Sequence, residues 1–481
     1  MLNSLTKEEK TQLVLAEFRK LAQIPRPSTA EQAVGDYLEQ TLRTAGLRVW
    51  RESCGNVIAE KMPTSGYEGR PTVILQAHMD MVCVSDDSRD YDKYHDAIRL
   101  IEDDTYLRAD GTSLGADDGI GVAVILAIML DPSLKHGRLR AIFTVEEETS
   151  MRGACELDCR YLDGDYLINC DSEEVDTITV SSAGGMHIDA TLACERVARR
   201  RESAIYRLTL SGLLGGHSGV DIDKGRANAI LFMANMLSKI TGVRLIRLDG
   251  GMARNAIPAS VQAVVEINAK QARFMQDIID TCQNEWQAQY SAESSITVTL
   301  ELTDTEELPM SDDCLESLLA FCQGLPNGVH AMHKAIPALV ESSSNLGIVQ
   351  TTKEAVLLQM HPRSSEQSAL DWYRQTVGQL ARENRIEADC YGELPSWPLA
   401  QENHLAELAS DVYEGQNGTR MKIEACHAGL ECSYFYQKNP QLTLISIGPT
   451  VEHVHSPQER IKIDTIATHL DLIIGILEEL A

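Results

Sequence analysis

The sequence predicts an α/β protein: a catalytic domain with a mostly parallel sheet flanked by helices, interrupted by an α+β insertion with an antiparallel sheet. Three observations lead there. In the first third, mostly apolar runs of strand length alternate with helical segments, as in a sheet covered on both faces. From Met186 the strands turn half-polar and are separated by long amphipathic helices, loosely in the order strand–helix–strand–strand–helix–strand. The tail then returns to an apolar strand and a last helix. A chain of 481 residues exceeds what one simple core holds, so two domains are expected. We place the split domain at residues 1–185 and 396–481 and the insertion at 186–395.

The elements follow in order. The N-terminal stretch reads as an amphipathic helix that stops before Pro25 and has no apolar signal core. "VILQAHMDMV", Val73–Val82, is a strand, and Asp118–Leu130 is a helix ended near Pro132. Leu139–Val145 and Tyr166–Cys170 are further strands. A change near Ser181–Gly185 opens the insertion, where "MHIDATLACERV", "AIYRLTLSGL", "SVQAVVEINA" and "SITVTLEL" read as half-exposed strands. Ala227–Ile240 and Ala272–Tyr290 are its long helices; "AVLLQMHPRSS" and the helix Leu370–Arg385 follow. "ELPSW" marks the crossing back, and "LTLISIGP" with Asp464–Leu480 closes the fold.

Composition excludes some classes. With 43 basic and 71 acidic residues the formal charge is −28, which repels nucleic acid and anionic membrane surfaces. The longest apolar run, Val122–Leu130, is well short of a membrane span. The 12 cysteines lack the dense spacing of a disulfide framework and read as reduced thiols of a cytoplasmic protein. Cys155 and Cys159 fit one turn of helix better than a metal pair, since no second pair sits nearby.

Four segments of the split domain carry acids or histidines at strand ends or helix starts: His78-Met79-Asp80; Asp117-Asp118 in "GADDG"; Glu146-Glu147-Glu148 in "TVEEET"; and Asp171 in "LINCD". Residues i and i+2 on a strand share a face, so His78 and Asp80 are expected side by side. Burying such groups without partners costs several kcal/mol. Ligands of open α/β sheets sit beyond the carboxyl ends of the strands, where all four segments can converge. Taken singly, each has an ordinary explanation: a core pair, a helix cap, a solvated acidic run, a turn. Together, acids so close raise one another's pKa, and a cation removes the conflict. Histidine mixed with carboxylates suits zinc, cobalt or manganese, and this many ligands suits two ions about 3.5–4 Å apart.

These motifs resemble the M20 metallopeptidases, and most closely their aminoacyl-histidine dipeptidase branch. "LQAHMDMV", "LGADDGIGVA", "VEEETSMRGA", "INCDSEE", "GLLGGHSGVDI", "RNAIPA", "HAGLEC" and "HSPQERIKI" fall in that family's order over nearly the whole chain. The resemblance implies two zinc ions, with cobalt or manganese as substitutes, bridged by Asp117. His78 and Asp171 would complete one position, Glu148 and His455 the other. Glu147 matches the general base, and Asp80 the carboxylate supporting this machinery. Of the two histidines in "EHVHSP", which would share a face on an extended segment, the motif picks His455. His217 in the glycine-rich "GGHSG" is implied as an oxyanion donor, acting on its own subunit or a partner's, and Asn255 as a substrate or oxyanion contact. Arg363 is implied as the clamp on a C-terminal carboxylate. Gly429 and Glu431 in "HAGLEC" are expected to face substrate, Glu431 holding a free amino group. The implied activity is hydrolysis of dipeptides, Xaa-His dipeptides such as carnosine among them, by a homodimer paired through the insertion. The alternatives are a deacylase or carboxypeptidase on the same scaffold, or a non-catalytic peptide-binding protein. The last would be expected to lose the base, and Glu147 is present.

Overall fold

The computed structural model describes residues 2–86, 89–268, 271, 274–334 and 336–481. Its packing divides the chain into two units: Met1–Ser182 with Leu399–Ala425 and Leu430–Ala481, and Ala183–Pro398 with Cys426–Gly429. The four-residue segment Cys426–Gly429 groups with the second unit, although the sequence places it in the last part of the first domain.

The first unit is built on an eight-stranded sheet whose centre is parallel. We label the central strands β1 (Val73–His78), β2 (Leu139–Thr144), β3 (Tyr166–Asn169) and β4 (Thr443–Ser446). They lie in the order β2-β1-β3-β4, all three pairings parallel. Every residue of β1 and β2 is buried, which explains why apolar residues predominate on both faces of these strands. Outside β2 the strands Val57–Lys61 and Arg48–Arg51 pair antiparallel, and outside β4 so does Thr177–Ser182. Between β1 and β2 runs the helix α1 (Ala116–Leu130), with thirteen of its residues buried. A helix apolar all round must be covered on all sides. Val14, Leu15 and Phe18 of the helix Lys7–Leu21 pack in the same core, as do Ile466, Leu470 and Ile473 of the last helix, α2 (Ile463–Leu480).

The second unit is a nine-stranded sheet, antiparallel at every pairing described, that runs from Thr297–Thr303 at one edge to Glu387–Leu394 at the other. Ser203–Ser211 and Val261–Asn268 alternate buried with accessible residues, as one covered face requires. Helices Ala229–Lys239, Met275–Gln289, Asp312–Gly324 and Gln367–Glu383 supply Ile230, Ile279, Phe321 and Val377 to its core. The helix expected from Ala272 begins at Met275; Ala272 itself lies outside the described residues.

Candidate metal centre

β1 ends at His78, earlier than the strand to Val82 that the sequence suggests. Asp80 therefore lies in the loop beyond the strand, and the shared-face argument does not place it. It reaches the imidazole all the same: Asp80 Oδ1 is 3.4 Å from His78 Nδ1, longer than a good hydrogen bond. Both side chains are buried. Asp80 Oδ1 also accepts the Glu147 N–H at 3.0 Å, and Oδ2 accepts the Glu148 N–H at 3.2 Å and the Ser28 hydroxyl at 2.8 Å. Burial pushes the Asp80 carboxyl up, but His78, Ser28 and the Glu147 amide hold it below the usual carboxylate range.

α1 opens irregularly, because Asp117 and Asp118 have non-helical backbone angles. That departure turns the two acids to different tasks. Asp118 Oδ2 accepts the His78 backbone N–H at 3.1 Å. Asp117 stands between two imidazoles: its Oδ1 is 3.0 Å from His78 Nε2, and its Oδ2 is 3.2 Å from His455 Nε2. His455 Nε2 is also 2.8 Å from Glu148 Oε2, and His78 Nε2 is 3.6 Å from Asp171 Oδ1. The structure thus brings together His78, Asp117, Glu148, Asp171 and His455 from five segments of chain. Glu147 joins them through a ligand-atom group with His78 and Glu148. His453 and His455 do not lie on an extended segment. Both have φ of 58°, so the chain turns there, and His455 alone makes contacts with this cluster.

The electrostatics describe a site short of positive charge. Hydrogen bonds to Asp117 and Glu148 push the His455 imidazole up to about 11. Burial disfavours a charged His78, yet Asp171, Asp117 and Asp80 together raise its pKa well above the ordinary value. Burial and neighbouring acids raise Glu147, and they carry Asp171 to about 6. Glu148 Oε1 is buried with no hydrogen-bond partner. An orphaned carboxylate oxygen, two imidazoles facing acids and a surplus of carboxylates fit divalent cations with mixed nitrogen and oxygen ligands.

Three residues of the cluster's surroundings escaped the sequence reading. Buried Glu31 accepts the Glu146 N–H at 3.0 Å. Arg26 and Glu459, also buried, hold the loops carrying Asp80 and Asp117. Glu146, given no role from sequence, is paired with Arg152.

Glu431 is a correction. The sequence puts it in a substrate-facing loop, but it is wholly buried, and its Oε2 accepts Gln76 Nε2 at 2.6 Å and the Thr144 hydroxyl at 2.7 Å. Its neighbour Cys432 is buried too, so the end of "HAGLEC" is core rather than loop. Burial pushes the Glu431 carboxyl up to about 7.

The second unit holds the remaining candidates. His217 lies on a two-residue strand paired with Ala256-Ile257, and its Nδ1 accepts the Gly219 N–H at 3.2 Å. In the neutral ring this leaves the proton on Nε2, a donor. Asn255 is exposed, and its carbonyl accepts the Ser218 N–H at 2.8 Å. Arg363 is buried on the strand Ala355–Ser364, and its Nε has no hydrogen-bond partner. Burial lowers its pKa to about 10. Among the described residues no carboxylate pairs with it. His427, left without a role from sequence, meets the Ser343 hydroxyl at 2.7 Å through Nε2. Gly429 follows in the same short segment.

An α/β unit carrying this carboxylate-rich centre has the donor set of a metal-dependent enzyme, and comparison with known proteins gives its class. The model of peptidase family M20/M25/M40 matches residues 74–479, and the chain belongs to that family. It is 31% identical over 468 residues, 96% of each chain, to the cytosol non-specific dipeptidase of Escherichia coli (strain K12). Its fold superposes on the aminoacylhistidine dipeptidase of Vibrio alginolyticus with a TM-score of 0.88, at 32% identity, over 100% of this chain and 98% of that one. Human carnosine dipeptidase 1 shares the fold at a TM-score of 0.53 and 14% identity, covering 99% of this chain and 99% of that one. Among the described residues no helix is long and apolar enough to cross a membrane, and none of the 12 cysteines is in a disulfide.

Proposed function

We propose that this chain is a two-metal dipeptidase of the cytoplasm that hydrolyses short peptides with a free C-terminus, Xaa-His dipeptides such as carnosine among them. One observation carries the reading: the Asp117 carboxylate lies between His78 and His455, with Glu148 and Asp171 beside them. His78, Asp117 and Asp171 would hold one ion, and Asp117, Glu148 and His455 the second. Mixed imidazole and carboxylate donors suit zinc, with cobalt or manganese as substitutes. Two such ions would supply Lewis acidity and make a water easier to ionise near neutral pH.

The chain's own groups do the rest. Glu147, raised by burial and neighbouring acids, accepts the proton of the attacking water and passes it to the leaving amine. Asp80 fixes the turn that carries Glu147 by accepting the amides of Glu147 and Glu148. His217 donates from Nε2 to the developing oxyanion, and Asn255 contacts the same oxygen or the substrate amide. Arg363, cationic and without a carboxylate partner among the described residues, receives the C-terminal carboxylate, for which its planar fork is suited. Gly429 lets backbone approach the substrate, and Glu431, covered as it is, supports the site from beneath through Gln76 and Thr144. The edge strand Thr297–Thr303, with Leu302 72% exposed, supports a homodimer paired through the second unit.

The deciding experiment assays purified protein, with and without chelator, on dipeptides, tripeptides and N-acyl amino acids. Cleavage of dipeptides that is lost with chelator and restored by zinc or cobalt is expected. Preference for N-acyl amino acids would favour a deacylase instead. Full activity in chelator would overturn the two-metal reading.

A further inference from the structure

Four consecutive backbone N–H groups at the start of α1 point at one side chain. Glu459 Oε2 accepts from Leu114 at 2.7 Å and Gly115 at 2.9 Å; its Oε1 accepts from Ala116 at 2.7 Å and Asp117 at 3.3 Å. The first amides of a helix have no partner within it, and they draw a carboxylate by charge as well as by hydrogen bond. Arg26 holds the same segment through its carbonyl. Its Nη2 donates to Gly115 O, while Nη1 donates to Met79 O at 3.0 Å and Asp80 O at 2.9 Å. Arg26 and Glu459 are each 2% exposed. Gly115 is required between them: its φ is 70°, and a Cβ there would meet Arg26 Nη2 and Met81 Sδ at 2.6 Å.

Burying an arginine and a glutamate is weak evidence for stability, since well-packed apolar residues often do as well. The arrangement supplies geometry instead. Arg26 ties the loop after β1, with Asp80, to the start of α1, and Glu459 fixes the four amides that end at Asp117. A carboxylate shared between two sides tolerates little displacement, because a shift that shortens the approach to His78 lengthens the approach to His455.

We propose that Glu459 and Arg26 are positioning residues that hold the Asp117 carboxylate midway between His78 and His455, so that both ion positions are set before ions bind. The proposal rests on the two-metal reading above. Glu459→Gln keeps the side chain's shape but turns an amide NH2 toward two backbone donors, so those two amides lose their acceptor. The ion-free variant is expected to unfold cooperatively, as the wild type does. Its affinity for Co2+, measured by chelator competition, is expected to fall 10–100-fold, the usual cost of losing a group that orients a ligand. The visible absorption of the cobalt-loaded protein should change, and kcat should fall by a similar factor with KM within about twofold. Asn403→Ala serves as the control: it removes the cap that accepts the Ala406 N–H, far along the chain in the same unit. That variant should lose stability while keeping wild-type cobalt affinity and spectrum. If Glu459→Gln does not fold, Arg26→Lys, which replaces the two spaced nitrogens that Arg26 uses on the two loops by a single ammonium, undergoes the same measurements with the same expectation. Wild-type affinity and spectrum in the folded variant would overturn the proposal, as would equal changes in Asn403→Ala. A wild-type protein that binds no ion pair would refute the underlying two-metal reading instead.

Discussion

Two clusters in this molecule hold a pair of histidines among charged residues, and they behave in opposite ways. In the first unit His78 and His455 face a surplus of acids, and both imidazoles are pushed up, His455 to about 11. In the second unit His187 and His361 lie with Nδ1 atoms 3.3 Å apart, and burial together with Arg363 pushes His361 down to about 2. The nearby acid there, Asp189, is already taken by Arg254 and by the Tyr391 hydroxyl. Among the described residues, every group of closely spaced ligand atoms lies in the first unit. The difference teaches that a cation site is defined by carboxylates left without a cation. Histidine pairs alone do not make one.

The largest test of that contrast removes one carboxylate from the acid-rich cluster without touching the five proposed ligands. Glu147→Gln is expected to lower kcat by about 10²–10⁴-fold, the range for losing a general base, while metal analysis still finds two ions per chain. Retained turnover would take Glu147 out of its role, and lost ions would make it a ligand. A smaller effect is expected from Asp80→Asn, which places an amide donor against the Glu147 and Glu148 N–H groups or against His78. Activity or ion affinity should drop about 10–100-fold. Parallel measurements on His187→Ala should show unchanged metal content, and a loss of ions there would erase the distinction between the clusters.

The acid-rich cluster was legible in the sequence because its acids interrupt or end apolar strands, where an unpartnered charge is costly. "VILQAH" and "LRAIFT" read as buried strands, and they are buried throughout. The residues that grip backbone were not legible. Arg26 beside two prolines and Glu459 between Gln458 and Arg460 have the composition of a surface, and only the fold shows that four amides converge on one and three carbonyls on the other. Local pattern also failed where the chain turns. The step from His78 to Asp80 and the pair His453 and His455 were expected on extended backbone, but a strand end and two residues with positive φ place these side chains instead. Glu431 was misplaced for a related reason: the "HAGLEC" motif was expected to face substrate, while the burial of Glu431 follows from contacts with β1 and β2 far away in sequence.

A third histidine environment separates burial from charge and gives the smallest effect. His469 lies in α2, wholly buried, and neither ring nitrogen has a hydrogen-bond partner. Burial alone pushes its pKa down from 6.5 to about 3. Above pH 6.5 the ring is neutral in both the folded and unfolded chain, so its contribution does not change with pH. Below 6.5 only the unfolded chain takes up the proton, and stability is lost as pH falls toward about 3, by roughly 1.4 kcal/mol per pH unit. His469→Leu removes that uptake and two unsatisfied buried polar atoms. It should raise stability by about 1 kcal/mol at pH 7, with the gap over the wild type widening as pH drops from 6.5 to 5. Denaturant unfolding of both proteins at several pH values measures the gap directly. A constant gap would mean that the ring is protonated or hydrogen-bonded in the folded chain, and that burial without a counter-charge is not what holds this imidazole neutral.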